Sequence, residues 1–233
     1  MKPLIKILLT VLILLFSHIN YAQEKKNLPV NEYEKAISSG DVQLLDVRRM
    51  EEYNSGHLEH ALQADWTIKK EFEERIKYLD KNKTVYLYCL SGGRSSQAAD
   101  YLREHGFTSA INMEGGITAW KSAGKKVEGK PDVPQLTLPE YQNKTTSGNI
   151  VLVDFGAPWC APCRKMEPVI ADLAKTYGNK LKIEKIDGGI HTNVMTDLKV
   201  DALPTFILYK NGKETWRKQG LVTKEEFAAV ISK

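Results

Sequence analysis

Residues 150–163 read Ile-Val-Leu-Val-Asp-Phe-Gly-Ala-Pro-Trp-Cys-Ala-Pro-Cys (IVLVDFGAPWCAPC). Its opening is an apolar run, Ile150 to Phe155, interrupted only by Asp154, with the length and composition of a buried strand. Cys160 then opens a helical segment that continues to Tyr177. Pro162 suits the first helical turn, where its missing N–H has no partner to lose. Cys160 therefore sits at a helix N-terminus, where unpaired amides and the dipole favour its thiolate. Cys163 lies one turn in, close enough to close a small disulfide ring. Zinc is the rival reading of two cysteines so spaced, but no second pair follows.

Downstream, Leu181 to Ile186 reads as another strand. Thr205 to Tyr209 and Glu214 to Lys218 flank Asn211-Gly212, a hairpin signal, and Thr223 caps a final helix with Glu226 three residues on. The resulting order is β-α-β-α-β-β-α. With Val153-Asp154-Phe155 before the cysteines, Pro168 in the helix after them, Leu203-Pro204-Thr205, Asn211-Gly212 and Gly220, the chain resembles thioredoxin over about residues 136 to 233. That resemblance implies Cys160 as attacking thiol, Cys163 as resolving thiol and Asp154 as a buried carboxylate assisting proton transfer. It also implies a cis peptide before Pro204, where substrate backbone docks, and makes Trp159 and Pro204 the substrate-binding candidates. Ala161 replaces the usual glycine of the motif, and Gly156 stands where thioredoxins commonly carry tryptophan. Both positions tune reduction potential, so reductase and oxidase directions both stay open.

Upstream, Val42 to Val47 (VQLLDV) and Thr84 to Cys89 (TVYLYC) are strand-like, while Ile68 to Leu79 and Ser95 to His105 carry helical spacing. In the charged stretch KKEFEERIK, starting at Lys69, Phe72, Ile76 and Leu79 fall at i, i+4 and i+7. This stretch reads as a helix with a solvated face, not a binding patch. Cys89 ends a strand and opens Cys89-Leu-Ser-Gly-Gly-Arg94. Two glycines let successive N–H groups turn inward, the following helix adds its positive end, and Arg94 adds a fixed charge. A cysteine in such an anion cradle is expected as a thiolate. A small buried hydrophobe at a strand end is the plain alternative, which the Gly-Gly-Arg-Ser context weakens.

Together with Leu45-Asp46-Val47-Arg48, Glu52-Tyr53, Gly56-His57-Leu58, Gly106-Phe107, Glu114-Gly115-Gly116-Ile117 and Ala119-Trp120, this loop resembles the rhodanese family of sulfurtransferases over about residues 28 to 122. The resemblance implies that Cys89 takes sulfane sulfur from a donor such as thiosulfate, forms a persulfide and passes it to a nucleophile. Arg94 and the loop at Ser91, Gly92 and Gly93 would hold the anionic donor. Related phosphatase domains carry one more residue between Cys and Arg, so this loop length favours sulfur transfer over dephosphorylation. Asp46, Arg48 and His57 read as structural anchors, and Trp120 and Phe107 as core aromatics.

The two resemblances imply an α/β protein of two domains, an N-terminal rhodanese-like domain with a parallel sheet (23–122) and a C-terminal thioredoxin fold with a mixed sheet (136–233). Residues 123–135, rich in Lys, Gly and Pro, have linker composition. Of 233 residues, 42% are hydrophobic and 27% charged, which excludes a disordered, collagen-like or multispanning chain. Setting aside Lys2 and Lys6, 31 basic residues face 29 acidic ones, too mild a balance for a nucleic-acid surface. Three cysteines are too few for a stapled scaffold, and no metal or cofactor is called for.

Residues 1–22 read as a signal peptide: Lys2 and Lys6, an apolar run from Ile7 to Phe16 and a cleavage point after Ala22. An uncleaved membrane anchor is the alternative. The expected setting is the periplasm, with an external, membrane-linked reductant and protein thiols or disulfides as partners. The leading expectation is one circuit, in which Cys89 carries a persulfide that Cys160 and Cys163 reduce. Two others stand beside it: a thiol-disulfide reductase whose upstream domain only docks, and two uncoupled activities.

Overall fold

The computed structural model describes residues 27–40, 42–129 and 133–232, so the expected signal segment lies outside the described residues. In the upstream half, β1 (Asn27–Leu28), β2 (Gln43–Asp46), β3 (Leu62–Gln63), β4 (Val85–Tyr88) and β5 (Ala110–Met113) form one sheet in the order β1-β5-β4-β2-β3. Every pairing is parallel. Parallel crossovers place helices on both faces of such a sheet. On one face α3 (Lys69–Ile76) and α4 (Gly93–Glu104) bring Phe72, Ile76 and Leu102 against Leu45 and Leu87. The other face is covered by α1 (Val30–Ile37), α2 (Met50–Asn54) and α5 (Gly116–Ser122), whose Tyr33, Tyr53 and Trp120 meet Leu44 and Tyr88. The split of Leu44 from Leu45, and of Leu87 from Tyr88, is the two-residue period of a strand. Each large apolar side chain buried this way contributes roughly 1.5–3 kcal/mol.

Asp46 and Arg48 are the polar exception in this core. Arg48 Nη2 donates to Asp46 Oδ2 at 2.6 Å and to the Gly56 carbonyl at 2.7 Å, fastening the end of β2 to the loop before β3. Both side chains are essentially inaccessible, so the pair needs those hydrogen bonds to offset desolvation. Trp120 and Phe107 are buried, as expected of core aromatics. The Lys- and Gly-rich stretch after α5 is partly tied down: Glu128 forms a bridge with His57, and Trp120 Nε1 donates to the Lys126 carbonyl at 2.8 Å.

In the downstream half, β6 (Ile150–Gly156), β7 (Lys182–Asp187), β8 (Thr205–Lys210) and β9 (Lys213–Gln219) run in the order β7-β6-β8-β9. β6 and β7 are parallel and the other pairs antiparallel, a mixed sheet. Leu152 faces α7 (Ala161–Tyr177) and α9 (Lys224–Ile231) through Met166, Leu173 and Phe227. Val151, Val153 and Phe155 face the opposite side, where Tyr141 of α6 (Leu138–Thr145) and Val194 of α8 (Thr192–Asp197) close the core. Thr223 and Glu226 form the expected capping box of α9. Helix α6 adds to the expected order; its own box, Thr137 with Glu140, satisfies the first-turn amides.

Candidate functional site

Strand β4 delivers Cys89 to a loop that becomes α4 within four residues. Gly92 has φ +96°, a left-handed conformation that favours glycine, and its amide donates to Cys89 Sγ at 3.1 Å. Ile117 N donates to the Cys89 carbonyl at 2.9 Å, and a Cβ on Gly116 would stand 2.4 Å from that same oxygen. Only glycine there lets the start of α5 close over the loop. Cys89 is 1% exposed. Burial pushes its thiol up, but hydrogen bonds from Ser95 and from the amides of Ser91 and Gly92 outweigh that, and the thiol titrates below its ordinary value.

Arg94 also faces this sulfur, while Glu52 holds its guanidinium in two hydrogen bonds of 2.7 and 2.8 Å. The Arg94 fork in turn holds the Glu52 carboxyl below the usual carboxylate range. Ser95 Oγ donates to Asn112 Oδ1 at 2.6 Å, which locks the hydroxyl under the loop. Cys89, Ser91, Gly92, Gly93 and Arg94 are thus brought together. Ser95 and Glu52, which no local chemical motif marks in the sequence, join them, Ser95 from the first turn of α4 and Glu52 from α2.

At the other site, Cys160 caps α7 and is bonded to Cys163 with an S–S distance of 2.09 Å. Cys163 N donates to Cys160 Sγ at 3.3 Å, the helix-end contact that favours a thiolate once the pair is reduced. A Cβ on Gly156 would lie 3.7 Å from Asp154 Oδ1 and 3.7 Å from Cys163 Cβ, so the Asp154 carboxylate and Cys163 flank one spot. Burial pushes Asp154 up to about 6, with Lys185 pulling down and Glu167 pushing further up. Lys185 is its register partner in β7. The Leu203–Pro204 peptide is cis, and Leu203 borders the same groove as Cys160. Among the described residues no three His, Cys, Asp or Glu side chains cluster as metal ligands.

The motif of the second site rests on the first domain. Trp159, partly buried, packs against the cluster that holds Tyr53 and Tyr88, and Ala161 against the cluster under α3 and α4. Gln63 N donates to the Trp159 carbonyl at 3.1 Å, Arg164 Nη2 donates to the His60 carbonyl at 2.9 Å, and Arg75 lies 4.8 Å over the Trp159 ring. This corrects the reading of the KKEFEERIK face as merely solvated. Arg75 lies over the Trp159 ring and, with Tyr78, borders the groove shared with the other domain, because a guanidinium can stack on an aromatic face as well as meet water.

Fold and sites together give a mixed-sheet domain with a cysteine pair at a helix N-terminus, behind a parallel α/β domain with a cysteine ringed by backbone amides. Residues 132–233 match the Thioredoxin family model and residues 29–123 the model of the Rhodanese-like domain. The chain belongs to the thioredoxin family and carries a rhodanese-like domain ahead of its thioredoxin domain. A thioredoxin of Pyropia yezoensis is 31% identical over 102 residues, 43% of this chain and 95% of that protein. Thioredoxin Y, chloroplastic, of Oryza sativa subsp. japonica is 43% identical over 81 residues, 35% of this chain. The chain spans about half, 48%, of that chloroplast protein's length. Among solved structures, a rhodanese-like domain protein from Staphylococcus aureus aligns at 30% identity and TM-score 0.40, over 46% of this chain and 99% of that one. Mitochondrial thioredoxin 3 from Saccharomyces cerevisiae aligns at 27% identity and TM-score 0.38, over 42% of this chain and 90% of that one.

Proposed function

We propose that the chain is an exported thiol–disulfide oxidoreductase with a sulfurtransferase domain, in which Cys89 carries a persulfide that Cys160 and Cys163 reduce. The observation that carries this reading is the Cys89 cradle, where backbone amides donate to a buried sulfur beside Arg94 and lower the pH at which it ionises. Thiosulfate is the model donor: the Cys89 thiolate attacks its sulfane sulfur, sulfite leaves, and Cys89 keeps the extra sulfur as a persulfide. Arg94 and the amides of Ser91, Gly92 and Gly93 stabilise the charge of donor and persulfide.

The Cys160 thiolate then takes the outer sulfur, returning Cys89 as a thiolate. Cys163 attacks Cys160 Sγ, sulfide is expelled, and the pair closes as a disulfide, having supplied the two electrons. Asp154 is the proton carrier for Cys163. An external, membrane-linked reductant resets the pair outside the cytoplasm, a setting supported by the apolar run from Ile7 to Phe16. Docking supports the circuit: Gln63, which holds the Trp159 carbonyl, lies two strands from Tyr88, about 10 Å at the usual ~4.8 Å strand spacing.

The same contacts favour a second reading, in which the rhodanese-like domain only docks. Intact-mass spectrometry with peptide mapping, after the reduced protein meets thiosulfate, separates the two. Sulfur that persists on Cys89 only in Cys160→Ser, with a Cys160–Cys163 disulfide in the wild type, establishes the circuit. If Cys89 gains no sulfur in either protein, the circuit fails with thiosulfate and the docking reading takes its place.

A further inference from the structure

Between the domains lies a groove of about 860 Å³. Lys70 and Arg75 of α3 and Tyr78 just beyond it stand on one wall, while Cys160, Asp201 and Leu203 stand on the thioredoxin wall. Cys160 borders this space yet is only 4% exposed, and its neighbours Trp159 and Ala161 pack against the rhodanese-like domain. Three contacts hold the cover: Gln63 N to the Trp159 carbonyl, the Arg75 guanidinium over the Trp159 ring, and Arg164 to the His60 carbonyl. Arg75 also donates to the Gln63 carbonyl at 3.0 Å and to the Gln63 side chain, so helix, edge strand and Trp159 form one connected latch.

The dimensions decide what reaches the sulfur. Small-molecule sites occupy roughly 300–1,000 Å³. A stable protein contact buries on the order of 800 Å² on each partner, and contacts of the rhodanese-like domain with Trp159, Ala161 and Arg164 occupy part of the face on which a protein would lay that area. Lys70 and Arg75 bring positive charge to this space, and Glu71 and Glu74 beside them and Asp201 on the facing wall bring negative charge, so a ligand carrying both signs finds a partner for each.

We propose that this interdomain groove is a binding site for a low-molecular-weight zwitterionic disulfide, and that the rhodanese-like domain keeps protein-sized disulfides away from Cys160. The proposal rests on Cys160 and Cys163 as an exchanging pair and does not need sulfur on Cys89. The Cys160 thiolate attacks one sulfur of R–S–S–R, which forms the mixed disulfide and releases the first thiolate. Cys163 then attacks Cys160 Sγ and releases the second. The pair loses two electrons to become a disulfide, the substrate becomes two thiols, and a dithiol such as dithiothreitol restores the starting state.

The test is single-turnover oxidation of the full chain, reduced with dithiothreitol and desalted, by glutathione disulfide and separately by insulin. In the wild type, glutathione disulfide reacts at least tenfold faster than insulin. Arg164→Ala raises the insulin rate tenfold or more and leaves the glutathione disulfide rate within threefold. Arg75→Ala, on the other domain, raises the insulin rate similarly, which excludes a local disturbance of α7 as the cause. Wild type reacting with insulin as fast as both variants overturns the cover. A pair that neither disulfide oxidises, in wild type and variants alike, overturns the exchange reading together with the groove, and inert variants mark that failure apart from the first.

Discussion

Asp154 sits where its charge is disfavoured: its carboxyl is pushed up to about 6 from 3.8, chiefly by burial. The folded state therefore keeps a proton that the unfolded chain has already lost across that window. Stability from this group is complete below the unfolded value and is lost as pH rises through about 6. A raise of this size corresponds to about 2–3 kcal/mol. Asp154→Asn in the oxidised protein should therefore be more stable than wild type by that order at pH 7.5 and indistinguishable at pH 4, as urea unfolding at the two pH values would read. If Asp154 carries protons for Cys163, the same variant also slows closure of the reduced pair. Asp154, Cys160, Cys163, Cys89 and Arg94 were legible because each lies in a local motif beside the groups that act on it. Glu52 was not, because 42 residues separate it from Arg94 and only the fold joins them.

At the scale of the element, α5 begins on Gly115 and Gly116, both with left-handed φ, and its first turn closes over the Cys89 loop. Gly116→Ala meets two obstacles: a left-handed backbone that costs about 1–3 kcal/mol without glycine, and a backbone oxygen 2.4 Å from the new Cβ. Because that oxygen belongs to Cys89, the loop itself has to move. The variant should lower the melting temperature of the rhodanese-like domain and raise the pH at which Cys89 is alkylated, as its amide donors shift away. Calorimetry and a pH series of iodoacetamide labelling check both. The longer strands and α7 were plain in sequence from their apolar periods. β1 and β3, two residues each, are too short to have a period, and α6 buries only Tyr141 and Thr145, so its capping box was its main signal. The period of α3 gave its apolar side correctly but carried no information about what covers the polar side.

For the whole molecule, the decisive contacts are the ones sequence expresses least. Gln63 N, the Trp159 carbonyl and the His60 carbonyl are backbone groups, which every residue possesses, so no residue pattern announces the docking of the two domains. Strand β3 is also the outer strand of its sheet, and an uncovered edge would offer unpaired amides to any other chain. Trp159 fills that place at Gln63, whose side chain is meanwhile held by the Arg48 carbonyl at 2.7 Å. The Gln63 amide is therefore a reporter of docking alone, since its partner lies in the other domain. Amide hydrogen exchange followed by NMR should find it at least tenfold slower in the full wild-type chain than in Arg164→Ala, while Leu87 and Val153 in the sheet interiors exchange equally in both. Equal exchange at Gln63 in the two proteins, with the interior amides unchanged, would mean that the domains part freely and that Cys160 meets its substrates without a cover.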